Sequence, residues 1–298
     1  MHKSVAAVFS CLCLSFATSA WAESPAPRYE GDVLTSRELL TTSRGAGLAN
    51  AMTASASGSA ALWHNPAAIT SAMMYTFDAA YLFDNAVGGH GFEVNLVDMK
   101  SNRYVGAGIG MIYQYSSPDS LTDHLVQARL GLAVPLADNL ISLGLTAVYS
   151  YLKHDGSRFM SQFTLDAGLS IRPLEWLTLA VSVQNLIVGD YESWMPRMIS
   201  AGIVVGSIDL GLNVMFDTSF NLSADDIAST GSYGGGIEYT LKRLIPIRVG
   251  YRYEDGHHVI ATGLGYRHGE GLFGLDLSYQ HHFKYKNDAF SASLNLYF

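Results

Sequence analysis

From residue 74 to the C-terminus, apolar and polar residues alternate in segments of about ten residues. In the segment 103–115, for example, Val105, Ile109 and Met111 share one face and glycines occupy the other. A period of two indicates β-strands, and repeated segments of this length are typical of transmembrane barrels. The pattern predicts an all-β fold, a transmembrane antiparallel β-barrel of about fourteen strands. They span 74–84, 89–98, 103–115, 123–134, 140–151, 160–171, 176–187, 197–205, 207–217, 232–242, 245–254, 258–267, 271–282 and 289–298.

The polar faces of these strands are rich in Gly, Ser and charged residues. A soluble sandwich would turn its apolar face inward, so this composition favours a wet or plugged lumen. We expect Glu238 and Arg248 to pair across adjacent strands, around a turn centred on Arg243. The predicted lumen charges are Asp78, Glu93, Arg129, Asp166, Glu238, Arg248 and Arg252. The few larger apolar or aromatic inward positions are Tyr104, Leu125, Met198, Met215 and Tyr297.

The connections between strands are short at one end of the barrel and longer at the other. The longer set includes 153–158, 189–196 and 218–231, whereas the other set consists of short turns, one of them at Gly206. Outer-membrane barrels have short periplasmic turns and longer extracellular loops. This asymmetry predicts a periplasmic N-terminus. Tyrosines cluster near the strand ends, as expected for the belts of aromatic residues at the two membrane–water interfaces.

The first 22 residues resemble a secretory signal. Lys3 supplies a positive charge, residues 5–17 are largely apolar, and Ala20-Trp21-Ala22 supplies small residues for cleavage before Glu23. We therefore predict a signal peptide over 1–22. The alternative is a lipoprotein signal, for which the residues before Cys11 are a poor match. Both cysteines lie in this stretch, so the mature chain is expected to contain no disulfide.

Composition narrows the class of protein further. Charged residues make up 15% of the chain, below the roughly 25% of soluble domains. No later run approaches the roughly 18 apolar residues of a spanning helix, which leaves a barrel as the structure that satisfies its own backbone in lipid. A net charge of −8 argues against nucleic acid as a partner.

Few residues suggest chemistry. The sequence contains no Gly-x-Ser-x-Gly, phosphate-loop or HExxH motif, so we expect no enzyme, no cofactor and no metal. An outer-membrane phospholipase stays open as an alternative, because a Ser-His pair is assembled in space. Asp225-Asp226 lacks a known calcium-ligand spacing. Several histidines map to the predicted extracellular rim, where solvated loop residues are favoured over metal ligands: His90, His124, His154, His257, His258, His281 and His282.

Residues 23–72 differ from the alternating segments that follow them. They are rich in Ala, Ser, Thr and Gly, and their apolar and polar residues do not alternate. Its stretches 43–51 and 62–69 resemble the N-terminal plug of the FadL/TodX long-chain fatty acid transporter superfamily, which includes PorV-like proteins. The resemblance implies a fourteen-stranded barrel whose lumen holds an N-terminal hatch, followed by the barrel over 73–298. The residues that carry it are Gly45, Gly47, Trp63, Asn65, Pro66 and Ala67. Alternatively, Asn65-Pro66 is only the turn that starts the first strand.

Two functions are consistent with this sequence. One is passive transport of small hydrophobic molecules across the outer membrane of a Gram-negative bacterium, gated by the plug. The other is a non-transporting scaffold or secretion accessory of the PorV-like type. The plug could supply apolar lining through Leu39, Leu40, Leu48, Met52 and Leu62. The expected partners are outer-membrane lipids, a hydrophobic ligand, and the barrel-assembly machinery, which would read the terminal Phe298.

Overall fold

A computed structural model describes residues 42–298, apart from 86–87, 118–122, 155–156, 188, 190–191, 193–194, 208–209, 255, 269–271 and 285. The predicted signal peptide and residues 23–41 lie outside the described residues. Fourteen antiparallel strands form a closed barrel in which each strand pairs with its neighbours in sequence and β14 pairs with β1. This confirms the predicted fold class.

The strands alternate between outward-facing and inward-facing residues along their length. Their bounds are β1 Tyr75–Asp84, β2 Gly89–Asp98, β3 Gly106–Ser116, β4 Asp123–Leu136, β5 Ile141–His154, β6 Ser157–Leu174, β7 Leu177–Gln184, β8 Met198–Ser207, β9 Leu212–Asn221, β10 Ser232–Leu241, β11 Ile245–Glu254, β12 His257–Arg267, β13 Phe273–His282 and β14 Asn287–Tyr297.

Several strand boundaries differ from the expectation by up to five residues, and two of these differences affect predicted features. The turn expected at Gly206 lies further along, because β8 continues to Ser207 and Gly211 takes a positive φ of 64° that favours glycine. Tyr104 was expected to face inward but precedes β3 in the turn and is 63% exposed. The alternating pattern stopped before the last paired residue of β8 and started before the first paired residue of β3, so the pattern alone did not mark where pairing begins or ends.

The outer surface of the barrel carries a continuous band of exposed apolar side chains. Ile109, Leu130 and Leu145, on the adjacent strands β3, β4 and β5, are each more than half exposed. Their inward-facing chain neighbours are buried or small. Such a band would be costly in water and suits contact with lipid. Within the described part of the chain, no helix is long and apolar enough to cross a membrane.

The histidines at the loop-rich end lie on strands rather than in solvated loops, which corrects the interpretation favoured from the sequence. His90, His124 and His258 are each the second residue of a strand and contact aromatic rings. The side chain of His154 lies outside the described residues. Among the described residues, no three His, Cys, Asp or Glu side chains are grouped as metal ligands would be.

Candidate functional site: the lumen and its inner segment

Residues 42–72, here called the inner segment, are packed against the inward faces of the strands. Nearly every residue from 42 to 70 is buried. Short helices make up much of it: α1 (Ser43–Ala46), a 3-10 turn (Gly58–Ala60), α2 (Ala61–His64) and a second 3-10 helix (Pro66–Ser71). Local turns and caps, together with polar side chains of the wall, supply hydrogen-bond partners for its backbone.

Asn65 organises the second half of the inner segment. Its side-chain oxygen accepts a hydrogen bond from the Ala67 backbone at 3.0 Å, and Pro66 follows as the first residue of the 3-10 helix. Its side-chain nitrogen donates to the carbonyl oxygen of Thr53 at 2.9 Å. Asn65 is therefore both the cap of this helix and a link to an earlier turn of the segment. It does more than start the first strand.

Inward-facing glycines of the wall make room for the inner segment. A Cβ added to Gly144 would lie 2.3 Å from the carbonyl carbon of Pro66, and one added to Gly250 would lie 2.2 Å from that of Leu48. A Cβ at Gly47 would lie 3.0 Å from the Cα of Gly263. Backbone meets backbone at these points, so no larger residue fits without displacement.

Gly45 and Trp63, two further residues of the resemblance, are held by hydrogen bonds. The backbone N–H of Gly45 donates to the side chain of Thr42, which caps α1. The indole N–H of Trp63 donates to the side-chain oxygen of Asn95 at 2.9 Å. The guanidinium of Arg129 lies 4.7 Å from the centroid of the indole ring, in cation–π range.

All seven predicted lumen charges are buried and face inward. Arg129 donates to Asp166 at 2.7 Å and to the carbonyl oxygen of Leu62 at 2.9 Å, so one wall cation also binds the inner segment. Arg252 lies 3.4 Å from the carbonyl oxygen of Ala49. The polar wall thus supplies donors to the backbone of the inner segment.

The ion pair expected between Glu238 and Arg248 forms, with the two residues directly opposite each other and a contact of 2.5 Å. The sequence did not reveal that Arg44 of the inner segment joins it. Arg44 binds Glu238 through two hydrogen bonds of 3.0 Å. Burial alone would lower the pKa of Arg44, but the charge and hydrogen bonds of Glu238 outweigh it and raise that pKa above its ordinary value.

The same network extends to Asp276, which accepts from Arg248 at 2.5 Å and from Arg267 at 2.8 Å. Asp276 was not among the predicted lumen charges, and nothing in the sequence indicated which cations it meets. In the part of the chain that the structure describes, Asp78 and Glu93 form no ion pair with the arginines of this network. Among the described residues, Asp78 Oδ1 and Glu93 Oε2 have no hydrogen-bond partner.

A hydrophobic cluster also lies inside the lumen. From the inner segment it contains Leu48, Met52, Leu62, Trp63 and Ile69, and from the wall Leu82, Val97, Ile112 and Met215. Leu125 and Met215, both expected to face inward, are buried. Leu125 belongs to a second apolar group at the loop-rich end, with Leu152, Met160 and Met195. The inner segment supplies much of the apolar surface that the wall lacks.

Several solved structures share this architecture. A Pseudomonas aeruginosa FadL homologue is 12% identical, with a TM-score of 0.63 over 86% of this chain and 98% of that one. The CymD monoaromatic hydrocarbon channel is 12% identical, with a TM-score of 0.64 over 87% and 97%. The Ralstonia pickettii toluene transporter TbuX is 11% identical, with a TM-score of 0.58 over 87% and 99%.

The chain has the FadL-type barrel fold. No protein-family model matches it, and no curated protein matches its sequence. At this level of sequence identity, the similarity shows a shared fold and no more. The shared fold is the barrel that the resemblance of the N-terminal stretches implied.

Proposed function

We propose that the protein is an outer-membrane channel for small apolar molecules, closed by its inner segment acting as a plug. The observation that carries the proposal is the close fit between the inner segment and inward glycines such as Gly144 and Gly250. A barrel of this size leaves a lumen that wall side chains alone do not fill. A segment seated there controls whether anything passes.

The apolar surface inside the lumen supports an apolar molecule as the transported solute. Leu48, Met52, Leu62 and Ile69 of the inner segment meet wall residues such as Ile112. Two proteins of the same fold are described as a monoaromatic hydrocarbon channel and a toluene transporter. The apolar outer band supports a position in a membrane, and the predicted signal peptide supports the outer membrane as that membrane.

Deletion of residues 29–59 tests the gating. The wall strands pair only with one another, so we expect the deletion variant to form a folded barrel that conducts ions in planar bilayers, while the intact protein stays closed. Uptake of a hydrophobic tracer into vesicles should require the intact protein and change on deletion. If neither conductance nor uptake responds, gated transport is wrong and the PorV-like scaffold takes its place.

A further inference from the structure

Three hairpins carry the same tyrosine–histidine pair on their outer surface, next to the hairpin loop. In each, the tyrosine hydroxyl on the first strand meets the histidine Nδ1 on the second strand. The distances are 2.8 Å for Tyr81–His90, 2.8 Å for Tyr113–His124 and 2.7 Å for Tyr251–His258. Threefold repetition at nearly equal distances argues against a chance contact.

The surroundings of the pair repeat as well. Each histidine stands directly opposite a second aromatic residue, two positions after the tyrosine. The ring centroids of these opposed residues are 5.2 Å apart for Phe83–His90, 5.3 Å for Tyr115–His124 and 5.3 Å for Tyr253–His258. Each imidazole is therefore held in place by one ring and one hydroxyl.

These hairpins lie on one side of the barrel. The pairs occupy β1–β2, β3–β4 and β11–β12, and closure of β14 on β1 joins them into an arc of eight strands. In the intervening β13–β14 hairpin, Asp288 accepts from Tyr279 at 2.6 Å and pairs with His281 at 2.8 Å. We call His90, His124 and His258 with their tyrosines the histidine arc.

The hydrogen bond to Nδ1 fixes what the imidazole offers to its surroundings. When the tyrosine hydroxyl donates to Nδ1, the proton of a neutral imidazole must reside on Nε2. No described residue bonds Nε2 of His90, His124 or His258. In this tautomer each member of the arc presents an Nε2–H donor that has no acceptor among the described residues.

Two of these donors form a compact site. His90 and His124 lie on β2 and β4, two strands apart, a spacing of about 10 Å. The ring of Tyr115 lies between them, with centroids 6.4 Å from His90 and 5.3 Å from His124. The carboxylate of Asp288, on the neighbouring β13–β14 hairpin, is engaged by Tyr279 and His281. On the same end, Lys284 and Lys286 are exposed cations.

We propose that the histidine arc binds the phosphate groups of membrane lipids, with His90 and His124 as its main site. The arc borders the lipid-facing band, at the level where amphipathic rings meet lipid headgroups. Phosphate oxygens accept the Nε2–H donors, and the exposed lysines add charge complementarity. The proposal rests on the membrane placement proposed above but not on gating or on the identity of a transported solute.

Native mass spectrometry of the purified full-length mature protein tests this. The probes are a phosphorylated glycolipid, lipid A, and its enzymatically dephosphorylated form, which differ only in phosphate. We expect the wild type to retain the phosphorylated form preferentially. The double variant His90→Phe/His124→Phe keeps the rings but loses the donors, so this preference should fall by about tenfold. His90→Gln/His124→Gln, which keeps an N–H donor at each site, should retain more of it.

The matched control is His268→Phe. His268 stacks on Phe273 with centroids 5.1 Å apart, but at the opposite end of the barrel. This variant should keep the wild-type preference, and heat-dependent migration on gels should show each variant folded. The proposal is overturned if the wild type shows no phosphate preference, if His90→Phe/His124→Phe retains it, or if His268→Phe loses as much. Bilayer conductance tests gating separately, so the two proposals fail independently.

Discussion

Asn65 shows how a single side chain holds the inner segment together. It is fully buried, and its amide oxygen and nitrogen bond two different parts of the segment, Ala67 and Thr53. A buried backbone group that loses its partner costs about 1–3 kcal/mol. The Asn-Pro-Ala element is thus explained by hydrogen bonding inside the lumen.

We predict that Asn65→Ala loosens residues 53–67 while the barrel stays folded. Two buried backbone groups lose their partner, so hydrogen exchange in this stretch should accelerate by about one to two orders of magnitude. Asn65→Asp keeps the acceptor for Ala67 but loses the donor to Thr53, so its effect should be intermediate. Unchanged protection in Asn65→Ala would show that the side chain does not hold the segment.

The inner segment and the wall fit as two elements with complementary surfaces. Wall strands supply glycines where the backbone of the segment approaches, and Arg44 of the segment forms two hydrogen bonds to Glu238 on β10. A buried pair of this kind adds little net stability against an apolar replacement, but losing one partner is costly. The contact therefore determines the position of the inner segment in the lumen and contributes less to the stability of the barrel.

We predict that Gly250→Ala opens the channel without unfolding the wall. The new Cβ would lie 2.2 Å from the carbonyl carbon of Leu48, so the inner segment has to shift. Single-channel recording should detect ion conductance that the wild type lacks. Gly234→Ala is the control, because its Cβ would meet nothing closer than 3.4 Å. Equal conductance in the two variants would contradict the role of this close approach.

For the molecule as a whole, the two ends of the barrel differ. One end carries the longer connections, including residues 222–231 between β9 and β10, where Asp225 is exposed. The other end carries short turns such as 242–244 and the terminal Phe298, whose backbone pairs with Tyr75. An outer-membrane barrel turns its longer loops outward.

We predict that an epitope inserted after Asp225 is reached by antibody on intact cells. An epitope in the turn 242–244, at the opposite end of the adjacent strand, should be labelled only after permeabilisation. The reverse pattern would place the N-terminus outside and invert the topology. Labelling of both epitopes, or of neither, on intact cells would argue against a membrane-spanning barrel.

The sequence by itself determined the wall. A period of two repeated over ten-residue segments identifies strands and their faces, because each residue alternates sides whatever its partners are. Thus Asp78, Arg129 and Asp166 could be assigned to the lumen, and Glu238 could be set opposite Arg248 from the turn between their strands. The signal peptide and the domain boundary at 72 stay predictions.

Only the tertiary structure decided which residues meet across the lumen. Contacts between Arg44 and Glu238, or between Gly250 and Leu48, join residues about 200 positions apart in the chain. Their meeting depends on how the segment lies in the closed barrel, which no local pattern encodes. The pairing of His90 with Tyr81 is an intermediate case. Its spacing is visible in the sequence, but its geometry follows from strand register and outward orientation.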